Sequence, residues 1–317
     1  MKERLLEAAA DVVAALDRVV LGQHSAAEAL VATYMTGGHA LLEGVPGIGK
    51  TLLARSFAAC LGLRFSRVQS TPDLMPTDII GMNVFESSSR TFRLVRGPIF
   101  TQVLMVDEVN RTPPKTQSAL LEAMQERQVT IDGVSHPLEP EFFVMATENP
   151  VEFEGTYPLP EAQLDRFILR IEMGLPDEKA EIEVYRQAAS SRLGGWNGAA
   201  PPDPLVTPEE ARALRAASGE AHVAPELLPY LARLAARVRQ SPHVDLGVSP
   251  RGALALLQIA RSGALLAGRD FVLPDDLKRF LRPCWGHRLI LKAESELEGQ
   301  TVGRVLDEAA ASVEVPR

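Results

Sequence analysis

GVPGIGKT occupies residues 44–51. It follows a short apolar run, ALLEG (40–44), and precedes TLLARSFAACLG (51–62), whose apolar positions recur at helical spacing, with Gly62 placed to close the helix. The stretch satisfies G-x-x-x-x-G-K-[ST] in full. In that pattern the glycines let backbone N–H groups approach phosphate closely, and the helix N-terminus adds partial positive charge. Lys50 is placed to reach the β- and γ-phosphates of a nucleotide, and Thr51 to give its hydroxyl to Mg²⁺. A glycine-rich turn with no ligand reads the same way in isolation, so the surroundings have to decide.

VLMVDE (103–108) is the partner such a loop needs. Four apolar residues ending in Asp107 and Glu108 place two carboxylates at the C-terminal edge of a buried strand, where open α/β sheets bind their ligands. Asp107 is the expected Mg²⁺ residue, acting through water. Glu108 is expected to orient and polarise the attacking water, because in-line attack on a γ-phosphate needs mainly positioning and charge stabilisation. Asn149 follows FFVMATE at the end of a strand that could lie beside VLMV. Its amide suits a water or a γ-phosphate, and Asn149-Pro150 is equally a turn signal. Arg166 in QLDRF and Arg251 in GVSPRG are the remaining candidates; a surface charge is the ordinary fate of either.

The first half alternates strand-like and helix-like segments: FSRVQS, VLMVDE, FFVMAT and FILRIEM, with KTQSALLEAMQERQ as a helix between the second and third. Continuous apolar strands separated by helices predict a parallel sheet covered on both faces. After Met173 the pattern changes. A Gly-, Pro- and Ala-rich stretch (194–205) leads into TPEEARALRAAS, PELLPYLARLAARVRQ, SPRGALALLQIARSGALLAG and LPDDLKRFLRP, all helical in pattern, with Thr207 and Ser249 as N-caps, each before a proline at N1. The expectation is an α/β nucleotide-binding domain over 1–174 and an all-α domain over 175–317.

Composition agrees. The 317 residues are 46% apolar and 23% charged, as in ordinary globular proteins, and allow about two domains. A formal charge of −8 argues against a broad grip on nucleic acid. Cys60 and Cys284 form no CxxC or zinc pattern and suggest a reducing compartment. The first twenty residues are broken by Glu3, Glu7, Asp11 and Asp17, so they read as an amphipathic helix rather than a signal peptide. No apolar run approaches the ~18 residues a membrane span requires. A cytoplasmic location is expected.

With these residues in place, GVPGIGKT, VQSTPDLMPTDIIG, RGPIF, VDEVNRTPPKTQSALLEAMQERQVT, ATENPVEFEGTYPLPEAQLDRF and GVSPRGALALL together resemble the MoxR family of AAA+ ATPases. The resemblance runs in order across most of the chain. It implies a P-loop NTPase sheet followed by a helical lid, with ATP and Mg²⁺ as cofactors. Gly44, Val45, Pro46, Gly47, Ile48, Gly49, Lys50 and Thr51 then form Walker A and, with Leu52, hold the nucleotide. Asp107 and Glu108 match Walker B, with Thr51 and Asp107 on the metal. Asn149 matches sensor 1, Arg251 the sensor 2 arginine, and Arg166 the arginine finger that reaches a neighbouring subunit. VVLGQ (19–23) lies where the class contacts adenine. Glu148 departs from the glutamine associated with its position, and an acid there could slow hydrolysis or simply face solvent.

A finger acting on a neighbour is useful only in a ring or filament, so a homo-oligomer is expected, a hexamer by resemblance. The resemblance adds a protein client and a von Willebrand factor A-domain partner. Two hairpins are candidates for gripping: residues 83–100, around a serine-rich turn, and QVTIDGVSHPL (128–138), with its Asp132-Gly133 turn. Lid arginines 212, 215, 233, 237 and 239 are interspersed with Glu209, Glu210, Glu220 and Glu226, which fits a solvated surface better than a nucleic-acid face. No HExxH or similar histidine pair occurs. A remodeller of partner proteins is the leading reading; a helicase-loader-type motor and a slow nucleotide switch are the alternatives.

Overall fold

The computed structural model describes residues 2–150, 155–190 and 202–316. Its centre is a five-stranded sheet built from β1 (His39–Glu43), β2 (Phe65–Gln69), β5 (Val103–Asp107), β8 (Phe143–Glu148) and β9 (Phe167–Glu172). All neighbours are parallel, in the order β2-β5-β8-β1-β9. Every residue of β5 is buried, which is why it reads as an unbroken apolar run. Alternation along the strands sends Leu41, Leu104, Val106, Val144 and Ala146 to one apolar cluster, and Ala40, Leu42, Met105, Met145 and Leu169 to another. Helices α1 (Lys2–Val19), α2 (His24–Thr36) and α3 (Lys50–Cys60) belong to the second cluster. The short α4 (Pro76–Ile80) and α5 (Pro114–Glu126) belong to the first. The sheet is therefore covered on both sides, as expected.

Two antiparallel hairpins project from this body, β3 (Gly81–Glu86) with β4 (Thr91–Arg96) and β6 (Gln128–Ile131) with β7 (Val134–Pro137). The second turns through Asp132 (φ 48°) and Gly133 (φ 79°), two left-handed residues as the Asp-Gly signal requires. Asn83 Nδ2 donates to Asp132 Oδ2 at 2.9 Å and ties the hairpins together.

After the short α6 (Glu161–Leu164) and β9, the described chain is helical: α7 (Glu178–Ser190), α8 (Pro208–Ala217), α9 (Leu227–Arg239), α10 (Pro250–Leu266), α11 (Pro274–Trp285), α12 (Ala293–Leu297) and α13 (Val302–Ser312). The exception is a small antiparallel pair, β10 (Val244–Leu246) and β11 (Ile290–Leu291). The predicted N-caps are present: Thr207 Oγ1 accepts from Glu210 N, and Ser249 Oγ from Gly252 N. Of the Gly- and Pro-rich stretch, residues 194–201 lie outside the described residues. Buried residues of α9, α10 and α11 share one apolar cluster with α1–α3 and a sheet face. Thr36 and Ser262 join α2 to α10 through their hydroxyls at 2.8 Å.

His39 anchors the bottom of β1. Its Nδ1 accepts from Val144 N–H at 3.0 Å and its Nε2 faces the Met124 carbonyl at 3.2 Å, an arrangement that suits only a neutral ring protonated on Nε2. Burial pushes its pKa from 6.5 down to about 3. An unfolded chain takes up this proton below its ordinary pKa and the folded chain does not, so the contribution is complete above that pKa and fades as pH falls. His39→Leu should cost about 1–3 kcal/mol in urea unfolding near neutral pH, because the Val144 N–H loses its acceptor. That deficit should shrink by about 1.4 kcal/mol per unit as pH falls below 6.5. A deficit independent of pH would show that the folded ring protonates freely.

Candidate active site

The phosphate loop spans the end of β1 and the start of α3. Gly47 (φ 81°) and Gly49 (φ 102°) take left-handed conformations that side chains resist. Gly44 is needed for space: a Cβ there would sit 2.7 Å from the Met173 carbonyl oxygen, beyond the end of β9. Lys50 Nζ folds back onto the Gly44 carbonyl and lies 3.5 Å from the carbonyls of Val45 and Glu148. These contacts place its ammonium group at the mouth of the loop. Thr51 stands in the first turn of α3.

Because β1, the first strand in the chain, lies between β8 and β9, the strand order reverses at the loop, as at other switch points of open sheets. β8 separates β1 from β5, so Asn149, buried just past β8, sits between the phosphate loop and the two acids. Asp107 is the last residue of β5 and is buried. Arg67 of β2 donates from Nε to its Oδ2 at 2.8 Å, with Nη2 in ion-pair contact at 2.6 Å, and Thr147 Oγ1 donates to Oδ1 at 2.8 Å. The Thr147 oxygen also accepts the Glu108 N–H at 2.9 Å, so one hydroxyl positions both acids. Glu108 has φ 54° and turns out of the strand. Its Oε2 meets Gln69 Nε2 and Arg111 Nε, each at 3.2 Å.

Glu148 neither faces open solvent nor joins Asp107. Strand alternation puts it on the opposite side of the sheet from Thr147, paired with Glu43 across β1. Burial raises the Glu148 pKa, the nearby Glu43 raises it further, and Arg170 opposes both. Arg170 reaches Glu43 at 2.8 Å.

Thr51 and Asp107 would offer oxygen to a small hard cation such as Mg²⁺, which keeps waters and phosphate oxygens rather than an all-protein cage. Beside the loop lies a cavity of about 470 Å³. The segment 19–23 forms one wall through Val19, Val20, Leu21 and Gln23, against Val45, Ile48 and Leu52. The far wall, Pro176 with Val184 and Tyr185 of α7, carried no motif; nor did Arg67, and Thr147 lay within the ATENP stretch without an assigned role, because the contacts of both depend on which strands lie side by side.

Arg166 and Arg251 are elsewhere. Arg166 precedes Phe167, which pairs with His39 at the opposite end of β1 from the phosphate loop. Four residue steps of roughly 3.3 Å put that edge about 13 Å from Glu43. Arg251, in the first turn of α10, lies there too, its Nε 3.6 Å from Asp165 Oδ2. Buried Arg288 donates to Asp165 Oδ1 at 2.7 Å, so the acid beside Arg166 holds both lid arginines. Together with Arg127 these arginines line a cleft of about 370 Å³.

Comparison with known proteins gives a consistent picture. Residues 39–169 match the ATPase family associated with various cellular activities (AAA), and residues 236–309 match the AAA lid domain. The YeaC protein of Bacillus subtilis is 41% identical, covering 95% of this chain and 92% of that one. Chaperone MoxR1 of Mycobacterium tuberculosis is 37% identical, covering 95% and 80%. Protein MoxR of Paracoccus denitrificans is 32% identical, covering 96% of each. A crystal structure of a candidate ATPase from Cytophaga hutchinsonii superposes with a TM-score of 0.90 at 36% identity, covering all of this chain and 97% of the other.

The Thr147 hydroxyl yields a direct test. Thr147→Val keeps shape and loses both hydrogen bonds, so turnover of bound nucleoside triphosphate should fall about tenfold while nucleotide affinity changes little. Equal losses in affinity and turnover, measured by binding and steady-state hydrolysis, would show that Thr147 does not position the acids.

Proposed function

We propose that the chain, which belongs to the MoxR family of AAA+ ATPases, hydrolyses ATP in sites shared between neighbouring copies of a ring and uses the cycle to remodel a partner protein. The observation that carries this reading is the division of the site residues between two opposite edges of one sheet. Lys50, Thr51, Asp107, Glu108 and Asn149 gather at the C-terminal edge, while Arg166 and Arg251 gather at the other. A guanidinium on the far edge cannot serve its own phosphate loop without rebuilding the fold. It can serve the loop of the next copy in a head-to-tail, closing arrangement.

In this reading Gly44 to Leu52 wrap the triphosphate, and the apolar walls around Val20 and Tyr185 take the base. Thr51 and Asp107 would hold Mg²⁺, which supplies charge neutralisation on the phosphate oxygens. Glu108 orients a water for in-line attack, and Asn149 steadies it against the γ-phosphate. The neighbour's Arg166 and Arg251 offset charge developing in the transition state, an effect worth about 10³–10⁵ in related phosphoryl transfers. Asp165, the residue before Arg166, pairs with Arg251 and Arg288, so the lid and the finger would approach the next copy's nucleotide together.

A nucleotide-binding part over 1–174 and a lid over 175–317 would then move against each other during the cycle. The β3–β4 hairpin exposes Phe85, Phe92, Val84 and Val95, apolar surface suited to gripping a polypeptide, and the Asn83–Asp132 bond would make both hairpins act as one. A hexameric ring, a von Willebrand factor A-domain partner and a cytoplasmic location belong to the same proposal. No described helix is long and apolar enough to cross a membrane.

Mixing variants tests the shared site. Arg166→Ala and Glu108→Gln assemblies should each be nearly inactive. A mixed assembly should recover hydrolysis wherever an intact Glu108 meets an intact Arg166 from the next copy. No recovery, with mixing verified by differential tagging, would mean that each copy works alone.

A further inference from the structure

We propose that Arg67 is a resident cation that holds Asp107 until a divalent metal arrives, and that it sets the metal dependence of nucleotide loading. The proposal rests on the reading of Asp107 as a metal-site residue.

Asp107 has little free capacity. The Arg67 guanidinium covers Oδ2, with Nε donating to it and Nη2 in ion-pair contact, and the Thr147 hydroxyl takes one side of Oδ1, so few of its four lone-pair directions are left open. The pairing is also electrostatic: a carboxylate exposed over only 9% of its side chain lies against a single full positive charge. A divalent cation drawn to the same carboxylate, directly or through water, meets that charge a few ångströms away. The two cations compete for one anion, and the site cannot neutralise both without an added negative group. The nucleotide's phosphates are that group.

Arg67 is built to leave. β2 is an edge strand, so no further strand confines the outer side of the arginine. Its side chain is 48% exposed, and its Nη2 has a second, neutral partner in Gln69 Oε1 at 3.1 Å. Strand register places Arg67, Gln69, Met105 and Asp107 on one side of the sheet, where the phosphate loop also lies. When it releases Asp107, the guanidinium can therefore swing toward solvent or toward phosphate without disturbing the core. A permanent structural pair would show the opposite design: an interior arginine fixed by several carbonyls, as Arg288 is.

The test compares affinity for a fluorescent ATP analogue in EDTA with affinity in excess Mg²⁺, for the wild type, Arg67→Ala and Arg67→Lys. The gain in affinity on adding Mg²⁺ should be about tenfold larger for Arg67→Ala than for the wild type. Arg67→Lys keeps the charge without the fork and should fall between them; it also carries the test if Arg67→Ala does not fold. An equal or smaller gain in the folded variants overturns the proposal. A structure with a non-hydrolysable analogue and Mg²⁺ supplies a readout independent of affinity. It should find Arg67 Nε more than about 3.5 Å from Asp107 Oδ2, beyond hydrogen-bond range, and a retained bond overturns the exchange. Wild-type protein that shows no Lys50-dependent nucleotide binding would instead sink the reading of the site itself, separately from Arg67.

Discussion

Asp107 is a carboxylate at the end of a strand whose every residue is buried, and an unpaired charge there would cost several kcal/mol of lost hydration. The surrounding fold answers that cost. Arg67 arrives from the strand on one side, and the Thr147 hydroxyl from the strand on the other. Thr147 uses its remaining capacity on the Glu108 N–H, at the point where the backbone turns out of the sheet in a left-handed conformation. The placement of Glu108 thus follows from the need to satisfy Asp107. The same hydrogen bonds that stabilise the folded chain position both carboxylates.

The order of the strands has a second consequence. Insertion of β8 between β1 and β5 brings the end of three strands together, so the phosphate loop, Asn149 and the acid pair face one space. A parallel sheet has two edges of this kind, and β9 begins at the other. Arg166 comes just before β9, and the Asp165 carboxylate beside it collects Arg251 and Arg288 from the lid. One edge carries Lys50, Asp107, Glu108 and Asn149, and the other is rich in guanidinium groups among the described residues. The proposed head-to-tail stacking would join these two edges.

Local features were legible from residues because their physics is local. The predicted hairpin at Asp132-Gly133 formed with both residues left-handed, and the caps at Thr207 and Ser249 are in place. The segment 19–23 does line a cavity beside the phosphate loop. Glu148 shows the limit of such reading. Its position in the sequence left two readings, an acid that slows hydrolysis or one that faces solvent, and said nothing of the strand register that pairs it with Glu43 on the side of the sheet opposite Thr147. The α7 wall of the cavity carried no signal at all, since Tyr185 and Val184 look like any amphipathic helix until the chain brings them against Val45 and Ile48.

By itself the sequence determined the phosphate loop, the buried strand that ends in two acids, and the parallel sheet with helices on both sides. Each depends on the conformational preferences of consecutive residues: glycines that permit left-handed turns, and apolar runs that must be covered. Only the tertiary structure decided that Arg67 would reach Asp107 across 40 residues of chain, that Thr147 would bridge the two acids, and that Arg166 and Arg251 would meet at the far edge. Those pairings are set by which strands become neighbours and by which end of the sheet each segment enters. No stretch of consecutive residues contains that information, because it arises from packing the whole chain around one sheet.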